Sequence, residues 1–217
     1  DDKNYRIKNL EFFNEKGFPT KKDEDWKFSD LREIFTKNFK KIGVNNTNPE
    51  DNKFRLIKDF DHNYMLLING RLIRSDFKFE DKSKIKITGY KEENFTRDKS
   101  NNSLVCLNNA LSNEGYSLEL EKNYKFEKVL IIYNLFTEDL SNKILNNKNK
   151  IVINENSELH SIEYTINKSN NKFFNNSYEN VILKENAKFK NICIQSGRSD
   201  GYFHKFLNGS LSSNSKY

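Results

Sequence analysis

Apolar residues recur at three-residue intervals near the start of the chain, at Ile7, Leu10 and Phe13, before Gly17 and Pro19 interrupt them. That spacing predicts a helix stopped by two residues that do not continue one. A second stripe, Leu31, Ile34, Phe35, Phe39 and Ile42, predicts another helix with Ser29 as its N-cap. Asp30 and Glu33 fall near its positive end and Lys37, Lys40 and Lys41 near its negative end, with Gly43 closing it. Residues 44–62 are polar and read as a linker. Tyr64-Met65-Leu66-Leu67-Ile68 is then a short apolar run ending in Asn69-Gly70, a strong hairpin dipeptide, so Arg71-Leu72-Ile73 is the return strand. Charge dominates residues 74–102, with weak alternation at Ile85 and Ile87. A short helix is predicted over 104–113, closed by Gly115.

From about residue 117 the pattern becomes short apolar strands separated by Asn-rich turns. Leu118-Glu-Leu-Glu-Lys-Asn-Tyr-Lys-Phe aligns with Ile151-Val-Ile-Asn-Glu-Asn-Ser-Glu-Leu and with Val181-Ile-Leu-Lys-Glu-Asn-Ala-Lys-Phe. Each copy places an apolar pair before a turn with Asn at 123, 156 or 186, at spacings of 33 and 30 residues. Past each turn alternation resumes: Phe126 and Leu130; Leu159, Ile162 and Tyr164; Phe189, Ile192 and Ile194. A strand–turn–strand unit with a fixed period of this length indicates a solenoid whose copies bury their apolar faces against one another. An antiparallel sandwich needs turns every ~8–12 residues and no such fixed return.

The expected fold is therefore mainly β: an N-terminal α-helical region followed by a parallel β-helix that is truncated at its C-terminal end. The expected division is a helical region at 1–43, then a linker, small hairpin and short helix at 44–116, then the first rungs of the β-helix at 117–217.

With 217 residues and an aromatic content of 13%, the chain has enough apolar material for a folded core despite a mean hydropathy of −0.89. Its 34 Asn and 30 Lys both use A/T-only codons, so base composition accounts for much of the +6 charge. The charge is also dispersed: residues 1–50 hold 11 basic and 10 acidic groups, and 151–217 hold 8 and 6. Without a basic face rich in Arg, nucleic acid is not an expected partner. No apolar leader segment and no 18-residue apolar run occurs, so neither a signal peptide nor a membrane span is expected. The chain opens on Asp rather than Met, which suggests that it begins after the true start.

No metal, cofactor or catalytic site is expected from the residues. Cys106 and Cys193 lie 87 residues apart with no CxxC or Cys/His cluster, and both read as buried free thiols, Cys193 facing the core from a strand. His62, His160 and His204 have no metal-ligand spacing. Glu24 beside Trp26 reads as a helix-opening staple with the indole on the core, and Asp23-Glu24-Asp25 as a solvated face. Gly197-Arg198-Ser199-Asp200-Gly201 is a turn that departs from the phosphate-loop pattern.

Residues 17–31, Gly-Phe-Pro-Thr-Lys-Lys-Asp-Glu-Asp-Trp-Lys-Phe-Ser-Asp-Leu, resemble the opening motif of the SufB/SufD family, which follows a helix with an aromatic pair, here Phe12-Phe13. Three further stretches resemble the family in its own order: Leu67-Ile68-Asn69-Gly70-Arg71, Leu107-Asn108-Asn109-Ala110-Leu111 with Gly115, and the rung Asn180 to Ala187 continuing to Ile194-Gln195 and His204. The opening motif and the Asn-Gly-Arg hairpin resemble the SufD branch more than SufB. The resemblance implies a right-handed β-helix and a non-catalytic, cytoplasmic scaffold subunit of the SUF complex, which assembles iron–sulfur clusters. It implies SufB-like and SufC-like partners, the latter an ATPase, contacted mostly through regions beyond Tyr217. It also implies a nascent cluster handled by the whole complex, not by this segment. Family members are about twice this length, and no functional residue of theirs maps onto these positions. Two other readings stay open: a carbohydrate-active enzyme on a parallel β-helix, which needs carboxylates clustered on successive rungs, and a surface solenoid. Glu155, Glu158, Glu185 and Lys188 sit at or next to turns, where solubility accounts for them.

Overall fold

The computed structural model describes residues 2–39, 43–44, 54–95, 97, 99–196 and 200–217, with the side chain of Ser196 left aside. The helical ends assigned above to Lys40, Lys41 and Ile42, residues 45–53 of the 44–62 linker, and residues 197–199 of the Gly-Arg-Ser turn lie outside the described residues.

The first helix, α1, is Asp2–Lys16, and Gly17 ends it at φ +73°, a left-handed conformation that glycine adopts without steric cost. A short 3₁₀ turn at Glu24–Trp26 leads to α2, Leu31–Asn38. Asp30, rather than the expected Ser29, caps α2: its side chain accepts from the Glu33 backbone N–H at 2.8 Å. Gly43 does not close that helix. It opens a two-residue strand, β1 (Gly43–Val44), which pairs in parallel with residues 143–144.

The hairpin is β2 (Asn63–Ile68) and β3 (Arg71–Asp76), followed by β4 (Ile85–Gly89) and the helix α3 (Ser103–Leu111), capped by Asn102. Seven longer strands follow: β5 (Glu114–Leu120), β6 (Leu130–Phe136), β7 (Lys143–Ile153), β8 (Glu158–Asn167), β9 (Phe173–Leu183), β10 (Lys188–Ser196) and β11 (Gly201–Leu211). With β2 and β3 they pair in the order β10-β8-β6-β2-β3-β5-β7-β9-β11, parallel at every step except the antiparallel β2–β3 hairpin. The β2–β3 hairpin thus joins two stacks, β2-β6-β8-β10 and β3-β5-β7-β9-β11, and the chain alternates between them. This is a mainly β parallel solenoid of about three turns behind a helical preface, the fold expected from the sequence. Strand pairing carries the coil back past residue 117 to Asn63, because the hairpin is its first rung.

Why the hairpin can begin the coil is visible in Asn69-Gly70-Arg71. Asn69 and Gly70 take φ of +49° and +81°. The Asn69 amide donates to Thr137 Oγ1 at 2.8 Å and its carbonyl accepts from the Thr137 N–H at 3.0 Å, which ties the turn to the next rung. Arg71 forks onto Glu114, the first residue of β5, at 2.6 Å. Gly115 is not a helix terminator. It lies inside β5, where an added Cβ would sit 1.9 Å from the Lys148 carbonyl oxygen.

The turns opposite the hairpin carry the repeat. Asn123, Asn156 and Asn186 have φ of +59°, +58° and +57°, the left-handed region that Asn tolerates best after Gly. Their side chains form a ladder, Asn156 donating to Asn123 at 2.9 Å and Asn186 to Asn156 at 3.0 Å. A fourth copy of the turn appears at Asn214, φ +57°, with Tyr217 stacked on Phe189 at 5.3 Å. Inside this edge Leu118, Leu120, Ile151, Ile153, Val181 and Leu183 are buried in one column set. The helices cover the outer face of the second stack, where Phe35 packs on Phe174 with ring centroids 4.9 Å apart. Arg6 fastens α1 through Glu92, Tyr90 and the carbonyls of Ala110 and Ser112. No helix among the described residues is long and apolar enough to cross a membrane.

Candidate functional site

Strand parity decides what faces the inside of the coil. On β8, Leu159, Ser161, Glu163 and Thr165 share one face, and strand pairing sets Glu163 beside Ile132 and Cys193. On the opposite stack, pairing aligns Asn147 with Ser177 and Lys205, and Asn149 with Glu179. The interior is therefore apolar along the Asn-turn edge and mixed in its other half, where polar residues adjoin the apolar cluster of Phe136, Leu140, Leu145 and Phe173. That half encloses a cavity of about 340 Å³, lined by residues of both stacks and reaching Cys193 and Gln195 on β10.

Across this space Lys205 ties the two stacks together. Its Nζ lies 2.5 Å from Glu163 Oε2 on β8 and 3.0 Å from Glu179 Oε2 on β9. Asn134 donates to the other Glu163 oxygen at 3.0 Å. Burial works against the charge of Lys205, but the two carboxylates outweigh it and hold its pKa well above the ordinary lysine value. Glu179, 1% exposed, is shifted upward because burial penalises its charge more than Lys205 relieves it. Two carboxylates thus meet one ammonium here, and of the two Glu163 lines the cavity while Glu179 is buried beside it.

The thiol of Cys193 lies 3.6 Å from Glu163 Oε2. It does not belong to an apolar core, as the sequence suggested: its strand face is the polar one, and the residue is exposed. Partial burial, then the Glu163 carboxylate, push its pKa up, so the thiol form dominates near neutrality. Cys106 is buried in α3, with its Sγ 3.2 Å from the Ser100 carbonyl oxygen.

The three histidines stand apart. His62 is buried and meets the Tyr133 hydroxyl at 3.1 Å, and His160 pairs with Glu158 at 3.0 Å on the surface. His204 contacts Asn176 Oδ1 at 2.9 Å and lies 5.7 Å from the Trp26 ring. Burial lowers its pKa to about 4. Trp26 packs partly buried against the helical cluster, and Asp23, Glu24 and Asp25 are exposed. Glu185 is exposed at its turn, whereas Glu158 and Lys188 pair with each other at 3.6 Å. No group of three His, Cys, Asp or Glu placed to hold a metal occurs among the described residues.

Sequence reasoning missed Glu163, Glu179 and Lys205. The available signal was the β8 register: with Leu159 inward, Glu163 must also face inward four residues later. Ile162, Tyr164 and Ile166 obscured it, because these apolar residues lie on the opposite face of the strand. Tyr164 and Ile166 there join an outer cluster with Ile131, Tyr133 and Leu135, which Phe54, Leu56 and Ile57 cover.

Residues 3–92, which run from α1 through the hairpin and β4, match the family described as SufBD protein N-terminal region. No curated protein matches the chain. Residues 3–92 thus carry the N-terminal region of the SufB/SufD family, and the parallel coil continues from them.

Proposed function

We propose that this chain is the entrance to a SufD-type, non-catalytic scaffold subunit that works in the cytoplasm beside SufB-like and SufC-like proteins. The observation that carries the reading is the family match over residues 3–92 running without interruption into a parallel coil. Such a coil offers long, rigid flanks for docking partners and leaves the chemistry to the assembled complex. The Asn69-Gly70-Arg71 hairpin, built into the first rung and clamped by Glu114, favours the SufD branch.

The carboxylates inside the coil support a structural role for themselves. Glu163 and Glu179 share one ammonium between two stacked strands, an arrangement that fixes strand positions. A glycosidase pair instead needs a bond to cleave lying between its two carboxylates. The test is co-purification from cells that express SufB-like and SufC-like proteins. The full-length protein is expected to bring down both partners, and residues 1–217 alone to leave the ATPase behind. Strong capture of the ATPase by residues 1–217 overturns the placement of that contact beyond Tyr217. Failure of the full-length protein to capture either partner overturns the scaffold reading.

A further inference from the structure

The polar cavity inside the coil is incompletely satisfied in two independent ways. The first is charge: Glu163 and Glu179 bring two negative charges, and Lys205 returns one. Arg71 and Glu114 nearby pair with each other and leave that balance unchanged. The second is hydrogen bonding. The side-chain oxygens of Asn147, Asn149 and Asn175 are buried and have no hydrogen-bond partner within the protein. These three residues are 7%, 5% and 7% exposed, and all three line the cavity. Among the described residues they are three of the five asparagines whose buried side-chain oxygens lack partners. Burial without a partner is costly for such an oxygen, and native interiors hold few of them. Here they surround one space.

A space lined by neutral amide oxygens and short of one positive charge has a definite complement. A divalent ion would overshoot the charge, and such ions favour sets richer in carboxylate. Soft ions favour thiolates, and the Cys193 thiol keeps its proton near neutrality. We propose that the cavity binds one small monovalent cation of about the size of potassium, held by the Asn147 and Asn149 oxygens, two residues apart on one face of β7, and by the Glu163 carboxylate. The bound ion balances the second carboxylate, satisfies the amide oxygens and locks the two stacks at that rung. It does not depend on the scaffold function proposed above.

The test is thermal unfolding of the purified protein in potassium chloride against choline chloride at equal ionic strength. Potassium is expected to raise Tm by about 2 °C or more, saturably, as ligand binding to the native state requires. Asn149→Leu is expected to abolish that increment. Should that variant fail to fold, Glu163→Gln is expected to abolish it by removing the excess charge. Crystals soaked in thallium(I), a heavy stand-in for potassium, are expected to show anomalous density beside the Asn147 and Asn149 oxygens. Equal melting in both salts, an increment that persists in the variant, or a cavity holding water without a thallium signal each overturns the proposal.

Discussion

At Asn156 the backbone adopts φ +58°, where a side chain's Cβ crowds the following carbonyl, at a cost of about 1–2 kcal/mol for most residues. Asn offsets part of that cost, and its amide also donates to Asn123 while its oxygen accepts from Asn186. Asn156→Ala loses both the conformational tolerance and two ladder bonds. Asn156→Gly loses the bonds but relieves the backbone. In urea unfolding, Asn156→Ala is therefore expected to cost about 2 kcal/mol, and Asn156→Gly about half of that. Equal losses in the two variants would assign the whole effect to the ladder and none to the backbone. Gly115 shows the same sensitivity from the other side. Its Cα approaches the Lys148 backbone so closely that Gly115→Ala must displace a rung.

The elements differ in how openly the sequence announces them. The turn repeat is legible because a left-handed corner demands Asn and because the column beside it is apolar on both stacks. Its fourth copy at Asn214 is harder to see: Gly209 and Ser210 stand where Val181 and Ile182 stand in the copy before, leaving Leu211, Asn214 and Tyr217 to carry the pattern. The polar cavity is hidden for the opposite reason. Its residues look like surface, while Tyr164 and Ile166 on the outer face look like core, since nothing local reveals that residues 54–57 will cover them. The hairpin was legible as a hairpin but not as a rung, because the Arg71–Glu114 clamp joins residues 43 apart in the chain. Glu114 is 3% exposed. Arg71→Leu leaves its carboxylate buried without the guanidinium and is expected to cost about 2–4 kcal/mol, tempered by the partial exposure of Arg71. Adding Glu114→Leu removes the stranded charge, so the double variant is expected to be more stable than Arg71→Leu alone. Chemical denaturation of the four-member cycle measures that coupling directly. Additive losses would mean that the clamp does not hold the hairpin to β5.

At the scale of the whole molecule, the helical layer and the coil meet through His204. Its ring lies between Trp26 of the opening motif and Asn176 of the neighbouring strand. Burial depresses its pKa to about 4, against an ordinary value near 6.5. The sign follows from proton counting. As pH falls below about 6.5 the unfolded chain takes up a proton at this site while the folded chain does not, so stability is lost down to about pH 4. The stability is fully present above the unfolded pKa, and the loss is bounded at about 3 kcal/mol for complete desolvation. Glu179 acts in the opposite direction, because its raised pKa makes the folded state the better proton acceptor as pH falls. The informative quantity is therefore the difference between the wild type and His204→Phe, which keeps a ring against Trp26 and removes the titration. Above pH 7 the variant is expected to differ by a constant offset from the lost Asn176 hydrogen bond. Between pH 6.5 and 4 the wild type is expected to lose stability relative to the variant, and the loss of near-ultraviolet signal from Trp26, the only tryptophan, reports release of the helical layer. Parallel stability curves across that range would show that His204 titrates normally in the fold, and that the helices dock on the coil through Phe35 and Phe174 without it.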